Sequence, residues 1–187
     1  MIAFNKGAAG TRRLAILLAV LAVALWPCAG GPRIVGVSAP CVEQKVFTEP
    51  LVIVVNHSNP VDDISFAELR KIFLGERSHW ANGRRITLVM REPEDPERKT
   101  IVHDVCGMSE DQLKTHVLHG LFTGDILVSP KLLASPSGVR KFVFNVPGAI
   151  GYLRLADVDP SVKVVRIDNL LPGDKGYKLH VESSVNK

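Results

Sequence analysis

The sequence predicts an α/β fold, and three observations carry that prediction. Leu51-Val-Ile-Val-Val55 is an unbroken apolar, β-branched run, the composition of a strand covered on both faces. Two Ser-x-x-Glu/Gln patterns, Ser65 to Glu68 and Ser109 to Gln112, each stand just before apolar residues at helical spacing. Strand-like and helix-like stretches then alternate along the chain, as they do when helices pack on a central sheet.

The 187-residue chain opens with Lys6, Arg12 and Arg13, then an apolar run of 13 residues from Leu14 to Trp26, then small residues at Ala29 to Gly31. This is the order of a secretory signal peptide. The run is too short for a transmembrane helix, which needs roughly 20 apolar residues. Residues 1–30 are therefore read as a signal peptide and residues 31–50, with three prolines, as an extended N-terminal arm. Residues 51–170 form one α/β domain, and the polar residues 171–187 form a C-terminal tail. Cys28 follows Trp26-Pro27, where a lipidation motif needs small residues, so no lipid anchor is expected. About 156 residues remain after cleavage, enough to bury a core of their own.

The formal charge of +4 comes mostly from the leader, since the rest holds 20 basic against 19 acidic residues. Basic residues there stand singly or in scattered pairs, among them Arg70-Lys71, Arg84-Arg85, Arg98-Lys99 and Arg140-Lys141, and never in a longer run, which argues against a nucleic-acid footprint.

Taken in order, Leu51–Val55 is a central strand, and Asn56 to Pro60 a loop. Phe66, Leu69, Ile72 and Phe73 share one face of a helix that Gly75 ends. Asn82-Gly83 is a turn, and Ile86 to Met90 a second strand. Asp95-Pro96 places an N-cap before proline at the first helical position, starting a helix that runs to about Cys106. The second capping box leads into a helix whose Leu113, Val117, Leu118 and Leu121 share a face. Phe122 to Asp125 and Ser129-Pro130 are loops, Ser137 to Val146 is a helix, and Gly148 to Leu155 and Val162 to Ile167 are strands.

The run Arg91-Glu-Pro-Glu-Asp-Pro-Glu-Arg98 is the first candidate site, because a helix start offers free amides and arginines can clamp an anion. Asp95 and Glu97 put carboxylates into the same loop. A second reading makes Asp95 an N-cap, Glu97 a first-turn acid, and Arg91 and Arg98 their ion-pair partners. Asn56 and Ser58 follow the central strand, where open α/β sheets collect ligands, or else form an Asx turn before Pro60. Thr123-Gly124 and Ser135 with Ser137-Gly138 are further hydroxyls beside glycines. His103, His116 and His119 lack metal-site spacing, and no metal or cofactor is expected. Nucleophile-elbow, P-loop and dinucleotide motifs are absent, so the chain is not read as an enzyme. Cys41 and Cys106 would make one disulfide in an oxidising compartment; equally, Cys106 suits a buried apolar position.

Three phrases in fixed order add a resemblance: Phe66-Ala-Glu-Leu-Arg-Lys-Ile-Phe-Leu-Gly75 running to Trp80, Ile86-Thr-Leu-Val-Met-Arg-Glu-Pro93, and Pro147-Gly-Ala-Ile-Gly-Tyr152. Together they resemble the second lobe of the periplasmic phosphate-binding proteins of ABC importers, a type II periplasmic-binding-protein (PBP) fold. The likeness runs from about Leu51 to Ile167, with more in Pro172 to Tyr177. It implies a single-lobe PBP-like sheet flanked by helices, in a periplasmic or secreted protein. Such a protein reversibly binds phosphate or another small oxyanion for an ABC importer. The family's Arg-(few)-Ser-Gly-Thr-Arg run falls on Arg91 to Arg98, with Asp95, Pro96 and Glu97 in place of Ser, Gly and Thr. Pro96 has no N–H to donate, and two carboxylates stand where the ligand's charge would be. Family members carry a first lobe ahead of this region, where this chain has only the arm. The resemblance therefore leaves a second expectation, a single-lobe module that has lost ligand capture and binds a periplasmic or envelope protein.

Overall fold

Strand β1 (Val46–Val55) organises the computed structural model, which describes residues 46–184, all within one compact unit. The expected signal peptide, most of the expected arm and Cys41 lie outside the described residues. Leu51 to Val55 is fully buried and lies between β5 (Ala149–Arg154) and β6 (Lys163–Ile167), antiparallel to both. The first half of β1 pairs antiparallel with β7 (His180–Ser184). Outward from β6 comes β2 (Asp63–Ile64), and outward from β5 come β3 (Thr87–Arg91) and β4 (Lys131–Leu133), each parallel to its inner neighbour. The order is β2-β6-β1-β5-β3-β4, and β1 runs against the strands beside it.

Alternation along β1 divides the core in two. Leu51, Ile53 and Val55 face the larger cluster, covered by α1 (Phe66–Phe73), α2 (Pro96–Thr100) with its π-helical continuation Ile101–Cys106, and the start of α3 (Glu110–Thr123). Val52 and Val54 face the smaller cluster, beneath Val139 and Val143 of α4 (Pro136–Asn145). Burying each such side chain contributes about 1.5–3 kcal/mol, so the strand's continuous apolar composition has a use on both faces.

The helix starts follow the capping pattern in part. Ser65 Oγ accepts from the Glu68 N–H at 3.2 Å, but the Glu68 carboxylate meets the Ser65 hydroxyl at 3.4 Å and Arg77 at 2.6 Å rather than the Ser65 N–H. The Asp168 carboxylate supplies a second cap, accepting from the Phe66 N–H at 2.9 Å. At α3 the Ser109–Gln112 box is complete in both directions.

Two stretches differ from the sequence reading. The arm and the tail are not separate from the sheet at residues 46–50 and 180–184, because they pair with each other as β1 and β7. The signal was the alternation of Tyr177, Leu179 and Val181, all buried, with Lys178, His180 and Glu182. Along α3, Leu113 is buried but Leu118 and Leu121 are 54% and 39% exposed. Only the first part of α3 lies over the sheet, and the helix continues through Phe122 and Thr123 before Gly124 ends it in a left-handed conformation.

Gly148 joins the loops to the sheet. Its carbonyl accepts from Trp80 Nε1 and from the Thr87 N–H, both at 3.0 Å. A Cβ there would lie 2.1 Å from the Arg85 carbonyl oxygen. Gly148→Ala is therefore expected to cost at least ~2 kcal/mol, because backbone rather than a movable side chain is in the way. Urea unfolding tests this, and an unchanged midpoint would contradict the contact.

Candidate functional site

Strands β3 and β5 are parallel neighbours, so Arg91 and Arg154 at their last positions leave the sheet along the same edge. Crevices beyond the carboxyl ends of parallel strands are where open α/β sheets take ligands. Arg91 is only 6% exposed, and every part of it has a defined surrounding. Its N–H donates to the Tyr152 hydroxyl at 2.9 Å, and its carbonyl accepts from Arg98 Nη1 at 2.8 Å. Nη2 donates to Asp95 Oδ1 at 3.1 Å, whereas Nε and Nη1 are buried without a partner among the described residues. Burial pushes the Tyr152 hydroxyl's pKa far up, so it stays protonated beneath Arg91.

The other charged groups of this edge hold one another. Arg98 gives Nε and Nη2 to one oxygen of Glu110, the first residue of α3, with the Nε contact at 2.8 Å. Asp95 is the N-cap of α2 by its backbone, yet its side chain caps nothing and turns to Arg91 instead. Glu97, 6% exposed, accepts from Arg154 Nε at 2.5 Å through Oε1, while Oε2 is buried without a partner among the described residues. Glu49 reaches Arg154 Nη1 at 3.8 Å. The ion-pair reading of the loop is thus the observed arrangement, with different partners: Arg98 pairs with Glu110, and Glu97 with Arg154.

Asn56 and Ser58 lie at the opposite edge. Because β1 is antiparallel, its carboxyl end stands beside the amino ends of β5 and β3, where Val55 faces Ile150 and Ile150 faces Leu88. Asn56 is fully used there. Its Nδ2 donates to the carbonyls of Val143 at 2.8 Å and Phe144 at 2.5 Å, closing the end of α4, and Oδ1 accepts from the N–H and hydroxyl of Ser58, both at 2.8 Å. Thr123 and Gly124 lie at the far end of α3, about 20 Å along the helix from Glu110 at 1.5 Å per residue. The Thr123 hydroxyl donates to Asp125 at 2.6 Å. The structure therefore gathers Arg91, Asp95, Glu97 and Arg98, and separates Asn56, Ser58, Thr123 and Gly124 from them.

Ser135 is closer to the cluster by topology, since Leu133 of β4 sits opposite Arg91 and Ser135 caps α4 two residues later. Arg154, Glu110 and Tyr152 were missed by sequence reasoning. Only Arg154 left a mark, a charge at the end of the apolar run Ala149 to Leu153. Among the described residues no His, Cys, Asp and Glu group could hold a metal ion. His116 is committed to the Leu74 carbonyl at 2.9 Å. Burial pushes the Cys106 thiol up to about 11, and its suggested partner Cys41 lies outside the described residues.

A family model described as a PBP superfamily domain matches residues 33–177. The chain belongs to the PBP superfamily. Its relatives include the phosphate-binding protein PstS of Bacillus subtilis (strain 168), 30% identical over 139 residues, which cover 72% of this chain and 41% of that protein. Among solved structures, an ABC-type phosphate transport receptor from Vibrio cholerae superposes with a TM-score of 0.55 at 23% identity, over 68% of this chain and 50% of the other. PstS from Borrelia burgdorferi gives 0.58 at 13% identity, over 73% and 56%. This PBP-superfamily chain thus spans about half the length of the proteins it matches, and the fold expected from the three phrases is the fold observed.

Asn56 offers a direct check on the division between the two edges. Asn56→Ala would strip four hydrogen bonds from a buried site and leave the Val143 and Phe144 carbonyls unmet. A loss of about 2–3 kcal/mol in chemical denaturation is expected, and a change below ~0.5 kcal/mol would refute the capping role.

Proposed function

We propose that this PBP-superfamily chain is a non-enzymatic substrate-binding protein of the phosphate ABC-transporter type, which binds a small oxyanion reversibly with Arg91 as its anchor. The observation that carries this reading is the buried Arg91 guanidinium, two of whose donors have no partner, at the carboxyl ends of parallel strands. Leaving a buried donor unmet costs roughly 1–3 kcal/mol, more where charge is involved, and an oxyanion supplies the missing acceptors. The relatives named above support an oxyanion as the ligand and an ABC importer as the partner, in an extracytoplasmic setting. No helix among the described residues is long and apolar enough to cross a membrane.

Binding is reversible and without bond chemistry, so affinity is set by what the anion displaces. The Asp95 carboxylate already lies on Arg91 and competes for it. Arg98 is not a second clamp, because its donors go to Glu110 and to the Arg91 carbonyl; it holds the anchor in place. Calorimetry with inorganic phosphate at two ionic strengths tests the reading. Micromolar binding that Arg91→Ala abolishes and Asp95→Asn tightens about tenfold is expected. Absence of heat for both the wild type and Asp95→Asn would overturn it.

A further inference from the structure

The same edge holds an unmet acceptor as well as unmet donors. Among the described residues Glu97 Oε2 has no partner, nor do Arg91 Nε and Nη1, and both side chains are more than nine-tenths buried. They belong to one group, because Arg91, Asp95 and Glu97 lie within seven consecutive residues and Arg154, which binds Glu97, ends the strand next to Arg91's. In that group the guanidiniums of Arg91, Arg98 and Arg154 face the carboxylates of Asp95, Glu97, Glu110 and Glu49. Among the described residues the group therefore holds one carboxylate more than it holds guanidiniums. Glu92 and Glu94, both exposed on the covering loop, add to it.

A plain dianion would meet this surplus as repulsion, whereas a ligand with its own positive charge would not. We infer that the preferred ligand is a small zwitterion, its anionic group taken by Arg91 Nε and Nη1 and its ammonium by Glu97 Oε2. The inference rests on the reading of Arg91 as an anion anchor and goes further by naming the ligand's second group. An ammonium group is the chemical complement of a buried, unpaired carboxylate oxygen, just as an oxyanion is of unpaired guanidinium donors. The loop between Arg91 and Glu97 is open to solvent. Glu92, Pro93 and Glu94 are exposed and Asp95 half-buried, and a groove of about 590 Å³ lined in part by Met90, Pro93, Glu94 and Arg98 opens against it.

Matched pairs that differ only by an ammonium group test this on the intact chain: aminomethylphosphonate against methylphosphonate, and glycine against acetate, with inorganic phosphate alongside. The expected result is at least tenfold tighter binding of the amino-bearing member in one pair or both. In Glu97→Gln, whose folding is checked by its melting temperature, that preference within each pair should disappear. Equal affinities within both pairs, with phosphate still bound, would overturn the zwitterion and leave the oxyanion reading standing. No binding of any of the five compounds would overturn both.

Discussion

Five consecutive side chains of β1, Leu51 to Val55, are out of contact with water, and the strand's backbone must find hydrogen-bond partners on both sides. It finds them in β5 and β6, and it runs against both. That direction has a chemical result. The carboxyl end of β1 arrives at the amino ends of its neighbours, so the loop after it, with Asn56, becomes a structural joint that closes α4. The carboxyl ends of β3 and β5 are left to form the other edge, and the charged residues collect there.

That edge is expensive to keep. Taking arginines and carboxylates out of water costs several kcal/mol per ion unless geometry and hydrogen bonds return it. Arg98 meets the condition, with Glu110 and the Arg91 carbonyl as partners. Arg91 and Glu97 meet it only in part. A fold that needed these residues only for stability would gain by replacing them with apolar groups of similar volume, so their incomplete pairing is the strongest physical argument for a ligand.

Much of this architecture was legible in the sequence because it rests on local rules. A run of β-branched residues, two serine caps and a proline after Asp95 each act within a few residues, and the elements they announce are present. The charged loop was legible in membership and in its Arg91–Asp95 pair, but not in its other pairings. Arg98 chose Glu110, twelve residues away, and Glu97 chose Arg154, fifty-seven away, and tertiary contacts of that reach leave no periodic trace. Asn56 was legible as an Asx turn, its Oδ1 accepting from the Ser58 N–H, but not as the joint that closes α4, because strand direction is a property of the sheet that a single strand's composition does not encode. The β7 strand was hidden behind polar residues, although its Tyr-x-Leu-x-Val alternation was readable in principle.

The π-helical stretch Ile101–Cys106 lies between the two halves of the Arg98–Glu110 pair. A π-turn accommodates a surplus residue within an α-helix while leaving both ends intact. Each residue of an α-helix advances the chain by about 100° around its axis. Deleting one residue between Ile101 and Cys106 would restore regular winding and leave Gly107 in phase with Arg98. The ion pair that steadies the anchor is therefore buffered against a one-residue change of length between its partners, which the helix takes up as a change of winding.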